Sequence, residues 1–319
     1  MFALLDGNSF YAKCEEIFQP HLKGTPVIVL SNNDGCVIAR NAQAKALGVA
    51  MGAPYFQIRD FIAQEGINAF SSNYGLYADV SRRMMQTIQS QVPDIEVYSI
   101  DECWADLEGI PGSLEVFGAA IKAKVQRDVG MPIGIGISTT KTLAKLAQWA
   151  SKTWPATHGV VDLTSKVRQE KLLRIAPVGQ VWGIGRKLAE RLIALNIDTA
   201  WKLSQYDPKM LRKLFSVNVE RTARELAGEV CLHMHQAPEL KQEIMKSCMF
   251  GQRVFDLALL REAAASYTTV AAEKMRKQQS LCQQLSISVQ TGMHEDPLKR
   301  YFNQIDLHLV NPTDDTRLL

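Results

Sequence analysis

Short apolar runs and longer amphipathic stretches alternate along the first half of the chain. Phe2–Leu5 is an apolar run that indicates a buried strand, and β-forming residues within 96–107 indicate two strands around an acidic turn. Apolar positions recur at helical spacing in 77–92, a second helix is predicted over 114–129, and the run 133–137 indicates a further strand. The pattern predicts the order βαββαβ, which is typical of a ferredoxin-like fold.

Three acidic residues lie at neighbouring strand ends of this predicted sheet. Asp6 ends the first strand, and Asp101 and Glu102 occupy the acidic turn. The first and third strands of a ferredoxin-like sheet are adjacent, so the end of the first strand should face the turn. Such a cluster of carboxylate oxygens suits Mg²⁺. The alternative for an Asp-Glu pair taken alone is a solvated hairpin tip.

Residues 11–75 are interpreted as an insertion into this pattern. Within them an Asp-Gly pair separates two apolar runs, which predicts a hairpin. The short helix that follows carries Arg40 and Lys45, two cations that suit a triphosphate, although a solvated helix face explains them equally well. Without further information, Phe10 and Tyr11 are interpreted as ordinary core aromatics.

A basic helix follows the last predicted strand of the sheet. Lys145 and Lys152 lie four and eleven residues after Lys141, and these offsets place the three side chains on one helix face. A lysine stripe is usually a solvated surface. Beside an acidic metal site it becomes a candidate clamp for phosphate.

A Gly-x-Gly turn, Gly183 and Gly185, directly precedes an amphipathic helix that begins with Arg186 and Lys187. Such a turn exposes backbone N–H groups at the positive end of the helix, which fits a DNA phosphate. A generic helix-to-helix turn is the alternative interpretation.

The C-terminal region predicts a βαββ unit after a polar linker around residues 236–239. Its elements are a strand over 247–254, a helix over 261–279, and strands over 285–290 and 305–310. A βαββ unit leaves a sheet face and an edge exposed, so one more helix and strand are expected to complete it.

Composition narrows the function classes. With 319 residues, 46% of them hydrophobic, the chain should form two to four domains. No apolar run approaches about 18 residues and the N-terminus lacks a signal-peptide pattern, so a cytoplasmic protein without a membrane span is expected. Six scattered cysteines without a Cys-x-x-Cys pair argue against zinc and suit a reducing compartment. Because the net charge is only +3, any surface for nucleic acid must be local.

Five motifs in this order resemble the Y-family translesion DNA polymerases, and specifically their UmuC-type members. The motifs are Asp6–Ala12, Ser31–Gly48, Tyr98–Glu102, Lys141–Lys145 and Val181–Gly185. The resemblance covers essentially the whole chain and implies an α+β, right-hand polymerase. It implies a ferredoxin-like palm over 1–165 with a small fingers insertion at 11–75, a helix-hairpin-helix thumb at 166–233, and an incomplete little finger at 240–319.

The resemblance also implies roles for the acids and for the thumb turn. Asp6, Asp101 and Glu102 would be the catalytic acids that bind two Mg²⁺ ions, and the Gly7 carbonyl would be a further ligand. The implied DNA-binding residues are Gly183, Gly185, Arg186 and Lys187.

A third set of motif residues is implied to bind the nucleotide. Tyr11 resembles the steric gate that excludes a ribose 2′-hydroxyl. Lys45 stands where many members have arginine, and lysine lacks the bidentate fork of that residue. Ala42 likewise stands where many members have tyrosine. The implied nucleotide-binding residues are Phe10, Tyr11, Cys36, Val37, Ile38, Lys45 and Lys145.

The implied function is error-prone synthesis past lesions in the SOS response, on primer-template DNA with deoxynucleoside triphosphates. A processed UmuD-type protein and the RecA filament are the implied partners. UmuC-type proteins continue beyond the position matched by Leu319, so the tail that contacts the sliding clamp is expected to be missing and synthesis to be weak. The alternative function is a non-catalytic DNA-binding protein that occupies primer ends or sequesters SOS partners.

Overall fold

The computed structural model describes residues 1–234, 241–292 and 296–319. The chain divides into two compact units, Met1–Ala237 and Pro238–Leu319. The linker predicted around residues 236–239 lies outside the described residues, and the finer division into palm, fingers and thumb stays a prediction. Within the described ranges, no helix is both long enough and apolar enough to cross a bilayer.

The described residues contain ten strands and twelve α-helices. The strands are β1 Phe2–Gly7, β2 Val27–Leu30, β3 Val37–Arg40, β4 Asn68–Ser71, β5 Asp94–Val97, β6 Glu102–Asp106, β7 Ile133–Ser138, β8 Val160–Asp162, β9 Cys282–Gln290 and β10 Phe302–Thr313. The helices are α1 Phe10–Phe18, α2 Ala42–Ala46, α3 Tyr55–Gln64, α4 Tyr74–Gln89, α5 Leu114–Val129, α6 Lys141–Thr153, α7 Lys166–Ile175, α8 Arg186–Ala194, α9 Ala200–Gln205, α10 Pro208–Leu214, α11 Val217–Leu226 and α12 Leu257–Lys277.

Five strands form a sheet in the order β5-β6-β1-β7-β8, which we call the palm sheet. β1 pairs antiparallel with both β6 and β7, and β8 extends the sheet by pairing parallel to β7. The adjacency of β1 and β6 confirms the predicted ferredoxin-like arrangement, in which the first and third strands are neighbours. Every residue of β1 is buried, as expected for a central strand covered on both faces.

Alternate residues of β1 enter different cores because successive side chains of a strand point to opposite faces. Ala3 and Leu5 belong to the large core that also contains side chains of α4 and α5. Phe2 and Leu4 belong to a smaller cluster with Ala144 of α6. Helices therefore cover both faces of the palm sheet.

Helix α6 lies very close to strand β7 at Gly136. A Cβ atom built on Gly136 would lie 2.1 Å from the backbone nitrogen of Gln148 and 2.2 Å from the carbonyl oxygen of Ala144. Both atoms belong to the helix backbone, so no side-chain movement could make room. The absence of a side chain at Gly136 thus allows α6, and the lysines that it carries, to approach the sheet.

A second, three-stranded sheet lies within residues 11–75, in the order β3-β2-β4. The antiparallel pairing of β2 with β3 confirms the predicted hairpin. Asn41 connects this sheet to its surroundings, because its side-chain oxygen accepts hydrogen bonds from the backbone N–H groups of Val27 and Ala44, and its amide donates to the Thr25 carbonyl oxygen.

Helices α7 to α11 enclose a separate apolar core with the outer face of α6. Glu225 of α11, fully buried, joins this helical region to α6. Its carboxylate accepts hydrogen bonds from the backbone N–H and the hydroxyl of Thr142, at 2.9 and 2.7 Å. It also accepts from the backbone N–H groups of Cys231 and Leu232, at 3.1 and 2.9 Å. One carboxylate thus fixes the start of α6 and the chain that follows α11.

The second unit contains α12 and an antiparallel pair of strands, β9 and β10, in which Ile287 pairs with Ile305. The predicted helix and both predicted strands are present, and all three begin earlier in the chain than predicted. The strand predicted over 247–254 is wrong, because the described residues of this segment form no strand. Gly251 interrupts its apolar pattern and offers no side chain for packing, which weakens a strand.

Candidate active site

The palm sheet brings two of the three predicted acids together. Asp6 at the end of β1 pairs directly with Glu102 at the start of β6. The backbone N–H of Gly7 donates a 2.8 Å hydrogen bond to the carbonyl oxygen of Asp101, so the acidic turn is fastened to the end of β1. The prediction that the end of the first strand faces the acidic turn is confirmed.

Asp101 occupies the turn itself rather than the strand. The Ser99 hydroxyl donates a 2.6 Å hydrogen bond to its carboxylate. The predicted cluster is therefore assembled in part: Asp6 and Glu102 are adjacent, whereas the Asp101 carboxylate is held by Ser99 within the turn. Consistent with this, no three His, Cys, Asp or Glu side chains in the described part of the chain converge into a group that could hold a metal ion.

Lysines on one face of α6 neutralise three acids of the palm sheet. The Lys141 ammonium lies 2.6 Å from Glu96, the Lys145 ammonium lies 3.0 Å from Glu102, and Lys152 pairs with Asp6. The Lys141 side chain is only 3% exposed, so the interpretation as a solvated stripe is wrong for that residue. Helix α6 begins at the Thr140 hydroxyl, which accepts a hydrogen bond from the Leu143 N–H.

Burial has the largest effect on the electrostatics of the Asp6–Glu102 pair. Burial raises the pKa of Asp6 to about 7, although the charge of Lys152 acts in the opposite direction. Burial also opposes ionisation of Glu102, but its hydrogen bond with Asp6 and the charge of Lys145 together lower the pKa of Glu102. When ionised, the two adjacent carboxylates supply oxygen ligands of the kind that Mg²⁺ prefers.

Aromatic side chains line the start of α1, next to the acids. The Tyr11 ring stacks on Tyr77, with centroids 4.6 Å apart, and meets the edge of Tyr74 at 6.0 Å. Burial, together with the charges of Tyr74 and Asp101, raises the pKa of Tyr11. Phe10 is 3% exposed and belongs to the core, so the core-aromatic interpretation holds for Phe10, whereas Tyr11 is half-buried.

The predicted nucleotide-binding residues of the insertion differ in exposure. Val37 is 1% exposed and lies in the core of the three-stranded sheet. Cys36 and Ile38 flank it and are half-buried, and Ile38 packs against the main core. Lys45 is exposed on α2. Alternation along β3 thus turns Ile38 away from the core that Val37 enters, and Cys36 directly precedes the strand.

The Gly-x-Gly turn forms as predicted. Gly183 has φ +85°, a conformation that favours glycine, and Gly185 begins α8 without a side-chain cap. Arg186 and Lys187 are exposed in the first turn of α8, and the Arg186 guanidinium lies 3.9 Å from Glu190. The turn therefore presents backbone and cations to solvent, as a phosphate-binding turn requires.

Sequence reasoning missed several aromatic residues of this region. Tyr74 and Tyr77 support Tyr11, and Tyr98 and Trp182 lie against Lys145. The spacing of Tyr74 and Tyr77 on one helix face was an available signal. Nothing in the local pattern linked Trp182 to the acidic turn.

Comparison with solved structures and with sequence families agrees on the class of this chain. A chimera of the Y-family DNA polymerases Dbh and Dpo4 superposes with a TM-score of 0.75 at 20% identity, covering 98% of this chain and 89% of the chimera. The fold is therefore that of a right-hand, Y-family DNA polymerase. The family model described as "impB/mucB/samB family" matches residues 5–148, and the model of its C-terminal domain matches residues 241–319.

Two relatives define the family more closely. Protein ImpB of Salmonella typhimurium is 48% identical over 321 residues, which cover 99% of this chain and 76% of the relative. Protein UmuC of Salmonella typhimurium strain LT2 is 48% identical over 320 residues, with the same coverage. The chain belongs to the impB/mucB/samB family, the UmuC-type translesion DNA polymerases of the Y-family. Family membership does not favour the alternative of a non-catalytic DNA-binding protein.

Proposed function

We propose that this chain performs its DNA-templated synthesis at the Asp6–Glu102 pair, with Asp101 from the adjoining turn as the third acid. The observation that carries the proposal is the direct pairing of Asp6 with Glu102 at the junction of β1 and β6, where the buried Asp6 carboxyl group lies beside that of Glu102. Deoxynucleoside triphosphates and primer-template DNA are the substrates that this class of enzyme requires.

Asp6, Asp101, Glu102 and the Gly7 carbonyl are the proposed ligands of two Mg²⁺ ions. When bound, the ions would lower the pKa of the primer 3′-hydroxyl and hold the triphosphate with its departing pyrophosphate. The ions would bind the ionised form of Asp6, which burial opposes and the charge of Lys152 favours. Lys145 and Lys152 neutralise Glu102 and Asp6 in the structure, and the positive charge of both lysines is proposed to attract the triphosphate.

Tyr11 is proposed to select the sugar of the incoming nucleotide. Its ring is held by Tyr74 and Tyr77, so it cannot turn aside easily when a 2′-hydroxyl approaches. Phe10, the first residue of α1, is buried in the core and packs next to Tyr11. Because Val37 enters the core of the insertion, we propose that its neighbours supply the side chains over the nascent base pair and that Val37 itself supplies backbone. The proposed nucleotide-binding set remains Phe10, Tyr11, Cys36, Val37, Ile38, Lys45 and Lys145.

Contact with the primer-template duplex is proposed at the turn before α8. Gly183 and Gly185 leave backbone N–H groups accessible, and Arg186 and Lys187 add positive charge beside them. These contacts reach phosphates and carry no sequence information, as an enzyme that copies any template requires.

The partners and setting are proposed from the family. A processed UmuD-type protein and the RecA filament are the proposed partners, within the SOS response, and the cytoplasm is the proposed location because the DNA substrate is there. Primer extension on undamaged and abasic templates, with and without these partners, measures how far the chain depends on them.

Asp101→Ala tests the proposed site. The variant should lose Mg²⁺-dependent primer extension and keep its affinity for primer-template DNA, because basic contacts to phosphate dominate that affinity. Asp106→Ala is the matched control, since Asp106 lies at the far end of β6, the strand that follows Asp101, 3.7 Å from the N-terminal amine, and should leave extension intact. Undiminished extension by Asp101→Ala would remove Asp101 from the site.

A further inference from the structure

Three aromatic rings form a cluster beside Lys145, the lysine that pairs with Glu102. Tyr98 comes from the turn before β6, Trp104 from β6 itself, and Trp182 from the residue directly before Gly183. The ring centroid of Trp182 lies 5.7 Å from that of Tyr98 and 5.5 Å from that of Trp104. We call these three side chains the aromatic wall. The wall places a residue of the predicted thumb against the turn that carries the acids.

Two ammonium groups of α6 lie on this wall, each also paired with a carboxylate. The Lys145 ammonium is 4.9 Å from the centre of the Tyr98 ring and 5.8 Å from that of Trp182, in addition to its 3.0 Å contact with Glu102. Lys141 lies 5.3 Å from the centre of the Trp104 ring. Ring faces attract cations within about 6 Å. Lys145 is thus held from three sides, by one carboxylate and two rings.

The backbone of α6 has attachments other than its packing against the wall through Ala144. The Thr140 cap, the Glu225 carboxylate and the close approach at Gly136 already fix that helix. A lysine side chain retains four rotatable bonds on a fixed helix, and confining it costs conformational entropy. Besides this packing, the wall restricts where the Lys145 ammonium can lie.

We propose that Trp182 is a positioning residue that acts through Lys145, holding its ammonium at Glu102. The residue next to Trp182 begins the Gly-x-Gly turn, so the segment proposed to hold a DNA phosphate also sets the charge balance at the acids. The inference rests on the proposed function to the extent that Lys145 serves the nucleotide site. It differs from a packing role for Trp182, which would act equally whether or not Lys145 is present.

A double-mutant cycle separates these two roles. Trp182→Leu and Lys145→Met, singly and together, are compared for single-nucleotide incorporation at saturating nucleotide and for primer-template affinity. Trp182→Leu should slow incorporation about threefold to tenfold, as loss of a partly desolvated cation–π contact implies, and change DNA affinity less than about twofold. In the Lys145→Met background, Trp182→Leu should slow incorporation no further. A second cycle, on urea unfolding in EDTA without nucleotide, should show the same coupling between the two residues.

Two further variants complete the test. Trp182→Phe keeps a ring face and should retain most of the incorporation rate. If the leucine variant does not fold, the phenylalanine variant replaces it in the double-mutant cycle. Trp201→Leu is the matched control, because Trp201 also meets a cation, with the Arg174 guanidinium 4.4 Å from its ring centre, but its cation belongs to the neighbouring helix α7. Its rate should stay within about twofold of the parent.

Each contrary outcome has a separate meaning. Equal slowing by Trp182→Leu with and without Lys145 would overturn the inference and leave the proposed function standing. If Trp182→Phe slowed incorporation as much as Trp182→Leu is expected to, the proposed role of the ring face would be overturned. If Lys145→Met incorporated nucleotide at the parent rate, the proposed role of Lys145 would fail, and with it the basis for positioning by Trp182.

Discussion

Replacing Glu225 with alanine should destabilise the protein more than most single substitutions. The side chain is fully buried, and four donors converge on its carboxylate: the N–H and hydroxyl of Thr142 and the N–H groups of Cys231 and Leu232. At about 1.5–3 kcal/mol for each hydrogen bond to a charged group, simple addition gives about 6–12 kcal/mol, which is comparable with the whole stability of many domains. Water can enter the space left by the carboxylate and satisfy some donors, so we expect a loss of about 3–5 kcal/mol.

The loss is measured from the urea unfolding transition of the first unit, and the variants Glu225→Gln and Glu229→Ala are measured for comparison. Glutamine keeps one acceptor oxygen but points an NH₂ group at two of the donors. The free energy of unfolding of Glu225→Gln should therefore lie between those of the parent and Glu225→Ala. Glu229 is 58% exposed and pairs with Arg224 at 3.1 Å, and such a surface pair is worth at most about 1 kcal/mol. If Glu225→Ala cost no more than Glu229→Ala, the carboxylate would not be the fastening between α11 and α6.

Three further changes test other contacts. Gly136→Ala should lower the free energy of unfolding by about 3 kcal/mol or more, because its Cβ would lie 2.1 Å from a backbone nitrogen of α6, and a loss below about 1 kcal/mol in urea would contradict the close packing. Tyr11→Ala should raise ribonucleotide incorporation, measured as the ratio of deoxy to ribo insertion; an unchanged ratio would return Tyr11 to a packing role. Lys141→Met should destabilise the protein because it removes the buried ammonium that pairs with Glu96, and adding Glu96→Gln should recover part of that loss in the same unfolding assay.

Predictions from local pattern succeeded where the pattern was long and one-sided. Helix α5, predicted over 114–129, has those bounds in the structure, because a serine cap begins it and Gly130, at φ +79°, ends it. The strand predicted over 247–254 failed, since its alternation was short and contained Gly251. A strand forms when a partner strand is in register, and the residues themselves do not say whether that partner exists.

The sequence by itself determined the order of the palm strands and therefore the pairing of Asp6 with Glu102. The spacing of apolar residues predicts whether each segment is a helix or a strand, and the ferredoxin-like topology then fixes which strands are neighbours. Only the tertiary structure decided what surrounds those acids. Lys145 pairs with Glu102 across 43 residues of sequence, and Lys152 pairs with Asp6 across 146. The Trp182 ring contacts Lys145 from a third region of the chain. Long side chains are directed by whatever the fold places within their reach, and that contact information is absent from the local sequence pattern.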